Sequence, residues 1–572
     1  DLGTRQIERI SEGTLELSSA KYRFRINSGY RMMGEKTRSW KQIAEYDSRD
    51  SSALMGNNLF TIIQTQDSLQ NSTWIRNNGD LYLFPKRKIR IGSEVWFENK
   101  QNKIGDSLVS GSFAFESVKP YLRSKPDAKT FQFDVSVEYR KDREFLTAQL
   151  RQKSISISPY LKLIWNPTDR FTLQNTTTLR SFRVLDSVFI ASGLNSSQNL
   201  MTNLQLNYNT KNRLFQGGFL YQALTEKIAR RQVVYVEVNP GLGAYEWIDY
   251  NDNQVQELDE FQISINPLTA NYIRLLQPTQ QLYPTVSASA GLQAKVEFSQ
   301  VIPKTQGSWK EWIRNIILQT NVRAEQKRSS DQDRAADYVL SPEAFRSIND
   351  TSWLNSAYSL RQDLFFFRNH PKGDLAFTWN DNRNLQFLIS GNEIRSNRSF
   401  QAKQRWNLNA SRSLEHQFQI GDKFSKAQLL DTRNFQIHFW SLNPVFNWTV
   451  SRQIRLSGGY EFKYKTNKDD FGTQNSLVRI HKLSMDGKIN FKARNNFFAK
   501  MELLQIQQTG TPGISANFEL LEGLQAGNNA VWNCFFSWYL TKDLELNVVY
   551  DGRASKGVPI IHSGRVQLKA VF

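Results

Sequence analysis

The sequence has 572 residues, of which 39% are hydrophobic and 22% charged, which allows several ordinary domains or one very large sheet. No run of about 18 apolar residues occurs, so a protein that crosses a membrane by helices is excluded. A transmembrane β-barrel is not, because its strands alternate lipid-facing and lumen-facing residues. The single cysteine, Cys534, excludes an intrachain disulfide and a cysteine-based zinc site.

The net charge of +19 makes nucleic acid a candidate partner. The basic residues are spread along the chain, and only short clusters such as "PKRKIR" (85–90) stand out. We therefore expect solvated loops or a charged lumen wall and no nucleic acid, with contact to lipopolysaccharide or an acidic passenger as the alternative. The start, "DLGTRQIERI", has no signal-peptide pattern, so an exported protein would be represented here in mature form or as a fragment.

The first 150 residues contain three segments with the pattern of strands, at 21–32, 87–99 and 129–141. Polar, irregular stretches interrupt this pattern along the chain. We expect long loops or insertions at 34–70, 226–283 and 325–357.

From about residue 358 onward, apolar and polar residues alternate with unusual regularity. In "HKLSMDGKINFKA" (481–493) every second residue is apolar or glycine, and the same pattern recurs at 452–466 and 542–552. Such alternation over about 11–15 residues indicates half-buried strands long enough to cross a bilayer at a tilt. Soluble sandwiches usually have shorter strands, roughly 5–6 residues long.

Short turns alternate with longer polar segments, which is how outer-membrane barrels are built. Aromatic residues stand at the short-turn ends, as an interfacial girdle requires; they are Trp165, Tyr208, Trp448, Trp538 and Tyr539. The sequence thus predicts an all-β fold in which residues 1–572 form a single antiparallel transmembrane β-barrel, with roughly 16–24 strands and long extracellular loops.

One acidic segment, "GLGAYEWIDYNDNQVQELDEFQ" (241–262), has the spacing of an EF-hand-type calcium loop. Oxygen ligands would come from positions 1, 3, 5, 7, 9 and 12, which are Asp249, Asn251, Asn253, Val255, Glu257 and Glu260. Gln254 stands where such loops have glycine, and no flanking helices are evident. The sequence predicts a calcium ion here, with an acidic surface loop as the alternative.

Catalysis finds little support in the sequence. The histidines are scattered over different hairpins without ligand spacing; they are His370, His416, His438, His481 and His562. No nucleophile elbow, zinc-protease motif or phosphate-binding glycine loop occurs. We do not expect an enzyme, and for His416 and His562 we expect a filler role.

The C-terminal "VQLKAVF", ending on Phe572, resembles the signal that the barrel-assembly machinery reads in Gram-negative outer-membrane proteins. The segments 520–533, 550–557 and 561–572, with the loop "YEWIDYNDNQVQELDEF", resemble large outer-membrane barrels of the Bacteroidota. This resemblance implies a location in the outer membrane of a Gram-negative bacterium. The implied surroundings are the lipid bilayer, lipopolysaccharide and the barrel-assembly machinery.

Three functions fit these features. The first is a conduit or scaffold for macromolecular export or envelope assembly, in a complex with lipoprotein or periplasmic partners. The second is a passive or substrate-specific solute channel. The third is a calcium-stabilised surface adhesin for which the barrel is only an anchor.

Overall fold

The structure is a computed structural model, and it describes residues 8–570 except 35–36, 50–52, 126–127, 265–269, 305–308, 330–337, 339, 342–352, 389–390, 429–432, 469–474, 492–494 and 542. The described residues form 28 strands and three short α-helices. None of the described helices has the length and apolar character needed to span a membrane. The chain divides into two units, residues 1–208 with 220–226 and residues 209–219 with 227–572.

The first unit is an antiparallel meander in which each long strand pairs with the next. Its elements are β1 (Glu8–Ser18), β2 (Tyr22–Met33), β3 (Thr37–Ser48), β4 (Leu54–Gln66), β5 (Asn71–Leu83), β6 (Ile89–Ile104), β7 (Ser107–Leu108), β8 (Phe113–Ser124), β9 (Phe131–Leu146), β10 (Gln149–Thr168), β11 (Phe171–Val184), α1 (Ser187–Ala191) and β12 (Ser197–Asn209).

One face of the first unit is apolar and exposed. Register pairs align its aliphatic side chains across five strands; they are Leu54, Leu83, Ile91, Leu122 and Val135, all exposed. Because successive strand residues point to opposite faces, the intervening residues form a charged face. There, the guanidinium of Arg123 pairs with the carboxylates of Glu94 at 2.7 Å and Asp134 at 2.8 Å.

The second unit repeats this arrangement, and from β16 to β28 each strand pairs antiparallel with the next. β13 (Phe215–Glu237) contributes residues to both units. The further elements are β14 (Tyr245–Trp247), β15 (Phe261–Ile263), β16 (Tyr272–Glu297), α2 (Trp309–Arg314), β17 (Ile316–Ser329), β18 (Trp353–Phe366), β19 (Gly373–Leu388), β20 (Gly391–Asn407), β21 (Arg412–Ala427), β22 (Phe435–Thr449), β23 (Ile454–Asn467), β24 (Ser476–Phe491), β25 (Asn495–Thr509), α3 (Ile514–Leu521), β26 (Gly527–Tyr539), β27 (Leu544–Ser555) and β28 (Val558–Ala570).

The apolar face of the second unit is also exposed. A row of register pairs crosses β22 to β26 through Phe446, Gly458, Met485, Met501 and Trp532. Met485 keeps 59% of its surface exposed and Met501 49%. The opposite, charged face of this unit carries cross-strand ion pairs such as Lys482 with Glu461 and Glu502.

A buried cluster of the second unit lies on its charged face, beneath α3. Ala516, Leu520 and Leu521 of α3 pack on aliphatic and aromatic side chains of three strands; these are Phe435, Ile437, Val478, Ile480, Leu504 and Ile506. The connection between β25 and β26 therefore contains a helix, α3, that is folded onto the sheet.

The prediction of an all-β antiparallel fold is confirmed. The strand number and the loop expected at 34–70 differ from the structure in detail. The described strands number 28, and even without the three that are only two or three residues long they exceed 24. Residues 34–70 are not a long loop, because β3 and β4 occupy most of them.

The other predicted insertions are shorter than expected. β13 continues to Glu237 and β16 begins at Tyr272, so only the middle of 226–283 lies outside long strands. β17 continues to Ser329 and β18 begins at Trp353, so 325–357 starts and ends within strands. Most of the residues between those two strands lie outside the described residues, as does Phe572.

Candidate functional site

The acidic loop, residues 248–260, connects two very short strands, β14 and β15, which pair through Tyr245–Ile263 and Trp247–Phe261. An aromatic cluster supports it. The rings of Tyr235 and Phe261 stack in parallel at 4.0 Å, and Tyr272 meets Phe261 edge-on at 5.0 Å. The base of the loop is thus packed on aromatic rings, whereas most of the described side chains of the loop are exposed.

The first half of the loop is folded around the side chain of Asp249. Its two carboxylate oxygens accept hydrogen bonds from the backbone N–H groups of Asn253 at 3.2 Å and Gln254 at 2.8 Å. The amide oxygen of Asn251 accepts from the same Asn253 N–H at 3.0 Å. Two of the predicted ligand oxygens therefore already lie around one point.

Gln254 adopts the backbone conformation that glycine provides in calcium loops. Its φ is 59°, and Asp252 has φ 55°, both in the left-handed region that is uncommon for residues other than glycine, although Asn and Asp visit it more often. The tight turn that Gln254 placed in doubt is therefore present, at some cost in backbone strain.

Glu260, at position 12, is 2% exposed. Its Oε2 atom accepts hydrogen bonds from the indole N–H of Trp247 at 2.9 Å and the backbone N–H of Glu257 at 3.3 Å. Its Oε1 atom is buried and has no hydrogen-bond partner among the described residues. A buried carboxylate oxygen without a partner is costly, and a cation is one of the groups that can satisfy it.

The structure brings together only part of the predicted ligand set. The amide N–H of Asn251 donates to Glu257 at 2.9 Å, so Asp249, Asn251 and Glu257 form one group. The carboxylate of Glu260 accepts a hydrogen bond from the indole of Trp247. The amide oxygen of Asn253 accepts one from the backbone N–H of Val255 at 2.6 Å. Among the described residues, no three His, Cys, Asp or Glu side chains are gathered as a metal centre.

A second charged cluster lies where α3 meets the sheet. Lys423 pairs with Glu519 at 2.7 Å, and Lys463 and Lys465 each approach Glu522 at 2.9 Å. Glu522 follows α3 in the connection to β26. Burial alone would raise the pKa of Glu522, but the ammonium groups of Lys465 and Lys463 lower that pKa to about 2.

Sequence reasoning missed this cluster, although two signals were present. Residues 516 and 520 have the spacing of a helix face. Ile437, Val478, Ile480 and Ile506 are aliphatic residues on the otherwise charged face, where only a covering element can bury them.

The aromatic and histidine positions agree with structural roles. Trp165, Tyr208, Trp448 and Trp538 lie near strand ends and are exposed. Within the strands, the ring of His416 meets Trp406 edge-on at 5.5 Å. The Nδ1 atom of His562 is 2.8 Å from the hydroxyl of Tyr550.

No family model and no curated protein matches the sequence. Similar solved structures include the ferric-catecholate import receptor Fiu from E. coli K12, with a TM-score of 0.29, 8% identity, and coverage of 96% of this chain and 77% of that chain. The siderophore receptor PiuA from Acinetobacter baumannii has a TM-score of 0.30 and 7% identity, with coverage of 96% of this chain and 77% of that chain. The RagAB peptide transporter has a TM-score of 0.29 and 7% identity, with coverage of 91% of this chain and 73% of that chain. TM-scores this low support no conclusion about this chain.

Proposed function

We propose that this chain is a transmembrane β-barrel of the Gram-negative outer membrane. The exposed apolar row from Phe446 to Trp532 carries the proposal. Soluble proteins rarely expose contiguous apolar patches larger than a few hundred Å², and lipid is the solvent that such a face suits. The aromatic residues at the strand ends, such as Trp448 and Trp538, fit the two membrane interfaces.

We propose further that the barrel is a conduit or scaffold for macromolecular traffic or envelope assembly, working with lipoprotein or periplasmic partners. The motive is the number of strands, since barrels above about 16 strands enclose a channel or a plugged lumen. The charged faces, with their Lys–Glu and Arg–Asp pairs, suit a water-filled interior. A solute channel of the porin type remains the second candidate, favoured by the same charged faces.

Two measurements on native membranes test this proposal. Stoichiometric co-purification of envelope proteins with the full chain, together with a pore that is closed in planar bilayers when the chain is alone, supports the conduit. A constitutively open pore with no stoichiometric partner supports the solute channel. Recovery of the chain in the soluble fraction, without a heat-modifiable gel shift, contradicts the barrel itself.

We also propose that the acidic loop binds a hard cation, with calcium matching its oxygen donors. The supporting observation is the buried Glu260 carboxylate, whose Oε1 atom meets no hydrogen-bonding group in the part of the chain that the structure describes. Asp249 and Glu260 would be the principal ligands, assisted by Asn251, Asn253 and Glu257 and by the Val255 carbonyl. With three carboxylates and a strained turn, we expect weak affinity, roughly 10⁻⁴–10⁻³ M.

Limited proteolysis of the full chain, with calcium and with chelator, tests the cation proposal. Chelator should raise cleavage between 240 and 265 and leave the sheet intact. Glu260→Gln should reproduce that pattern in the presence of calcium. Asp252→Asn is the matched control, because Asp252 lies in the same loop but at a non-ligand position. Identical cleavage with calcium and with chelator would leave the loop as an acidic surface loop.

A further inference from the structure

A pocket of about 570 Å³ lies in the first unit where β8, β9, β10 and β11 run side by side. Residues 110–112 and Leu194, which follows α1, also line it. This volume falls within the roughly 300–1,000 Å³ of small-molecule sites. The pocket is independent of the acidic loop and of the proposed traffic role.

Four aromatic rings line the pocket, those of Phe113, Phe115, Phe145 and Phe182. Phe113 and Phe115 alternate along β8, and the register places Phe115 opposite Asp142 of β9. Asp142 stands opposite Ser154 of β10 in the register. Two residues further along β10, Ser156 stands opposite Phe182 of β11. The rings of Phe113, Phe115 and Phe182 therefore belong to the charged face of the first unit. Each ring is partly exposed, and the guanidinium of Arg140 lies over the ring of Phe115 at 3.9 Å.

Positive charge exceeds negative charge in the pocket lining. Four basic side chains line it against two carboxylates; they are Arg140, Arg143, Lys153 and Arg180 against Asp142 and Glu144. Arg140 pairs with Asp142 at 2.8 Å, and Lys153 pairs with Glu144. Arg143 pairs with Glu116, just outside the lining.

Arg180 is the basic residue without such a partner. Its guanidinium lies 5.4 Å from the ring centroid of Phe182, and no carboxylate of the described residues forms an ion pair with it. The side chain is exposed. A guanidinium beside an aromatic ring presents a planar set of donors that matches a carboxylate, with an apolar surface next to it.

An irregularity of β10 adds to the lining. The register between β9 and β10 shifts between Gln152 and Ser154, so Lys153 is an extra residue that no residue of β9 stands opposite in the register. Such bulges re-aim side chains and are frequent next to functional sites. Here the bulge lies where Lys153 enters the lining, beside Ser154.

From these observations we infer that the pocket binds a small organic anion with a flat aromatic body. The carboxylate of the ligand pairs with Arg180, and its ring packs among Phe113, Phe115 and Phe182. The paired charges of Arg140 with Asp142 and Lys153 with Glu144 leave the remaining rim polar but neutral. An aromatic carboxylate would pair with the guanidinium and also pack on the partly exposed rings, whereas an inorganic anion would only pair with the guanidinium.

Equilibrium binding of naphthalene-2-carboxylate to the full chain in detergent tests this inference, with empty micelles as the baseline. We expect saturable binding that Arg180→Gln weakens by about tenfold or more, as loss of a charge-assisted hydrogen bond does. Arg183→Gln is the matched control, because Arg183 lies on the same strand, also exposed, but on the opposite face. It should leave the affinity unchanged.

The uncharged analogue naphthalene-2-carboxamide separates the two parts of the site. It should bind more weakly than the carboxylate and be insensitive to Arg180→Gln. Phe182→Leu should weaken both compounds. Equal affinities of the Arg180→Gln and Arg183→Gln proteins, equal affinities of carboxylate and carboxamide, or no saturable binding above the micelle baseline would each overturn the inference.

Discussion

Replacing Leu520 by alanine should loosen α3 from the sheet without unfolding the strands beneath it. The Leu520 side chain has 0% exposure and lies in the core with Ile437, Ile480 and Leu504. Leu→Ala changes at such sites cost about 2.7–5 kcal/mol, and every 1.4 kcal/mol is a factor of about ten in an equilibrium constant. The equilibrium between docked and undocked α3 should therefore shift by about a hundredfold or more.

Hydrogen exchange followed by mass spectrometry measures that shift. The peptide 513–524 contains backbone hydrogen bonds of the helix and its C-terminus, including Asn517 N–H to Gly513 at 2.8 Å and Gly523 N–H to Phe518 at 3.0 Å. Its exchange should accelerate in Leu520→Ala and hardly change in Ile514→Ala, since Ile514 is 84% exposed on the same helix. Equal acceleration in both variants, or an equal loss of protection along β22–β25, would refute the reasoning.

Three further outcomes are expected. Acid should release α3, because the pKa of Glu522 is about 2 in the folded chain against an ordinary 4.5. The stabilisation that the Glu522 carboxylate contributes is therefore complete above about pH 5 and is lost as the pH falls towards 2. Hydrogen exchange at 513–524 should show this loss, and Glu522→Gln should remove the pH dependence. Met485→Arg should lower the free energy of unfolding in phospholipid vesicles by about 2–4 kcal/mol, measured by urea titration. Ser484→Arg, on the charged face, should change that free energy little, and equal effects of the two substitutions would argue against a lipid-facing row. Chelator should increase proteolysis between 240 and 265, and Glu260→Gln should do the same with calcium present.

The regular strands of the second unit could be predicted because each carries its own alternation. In 481–493, for instance, the exposed Leu483 and Met485 alternate with Lys482 and Ser484, so the two faces can be read from one strand. β3 could not be predicted this way. Its residues 37–48 mix polar and apolar side chains on both faces, so the sequence shows no clean alternation. Its strand conformation is fixed by pairing along its whole length with β2 and over ten residues with β4.

Residues of the acidic loop were found in the sequence because calcium-type spacing is local. The arrangement of these residues could not be predicted, because it depends on contacts with residues outside the calcium-type motif. Trp247 holds Glu260, and the aromatic rings of Tyr235 and Tyr272 support the loop base. The pocket around Arg180 could not be predicted either, since it needs the register of four strands and the bulge at Lys153.

The docking of α3 has a consequence for any transport role of the charged face. Undocking would expose Ile437, Ile480 and Ile506 to water and would leave Lys423, Lys463 and Lys465 without the carboxylates of Glu519 and Glu522. The apolar and electrostatic terms therefore act in the same direction, and both hold α3 in place at neutral pH. We accordingly expect α3 to be a fixed part of the wall and not a gate. Because Leu520→Ala loosens α3, planar-bilayer recordings should compare that variant with the unaltered chain and with Ile514→Ala. Intermittent openings in Leu520→Ala alone agree with a fixed wall, whereas the same openings in the unaltered chain would show that α3 moves.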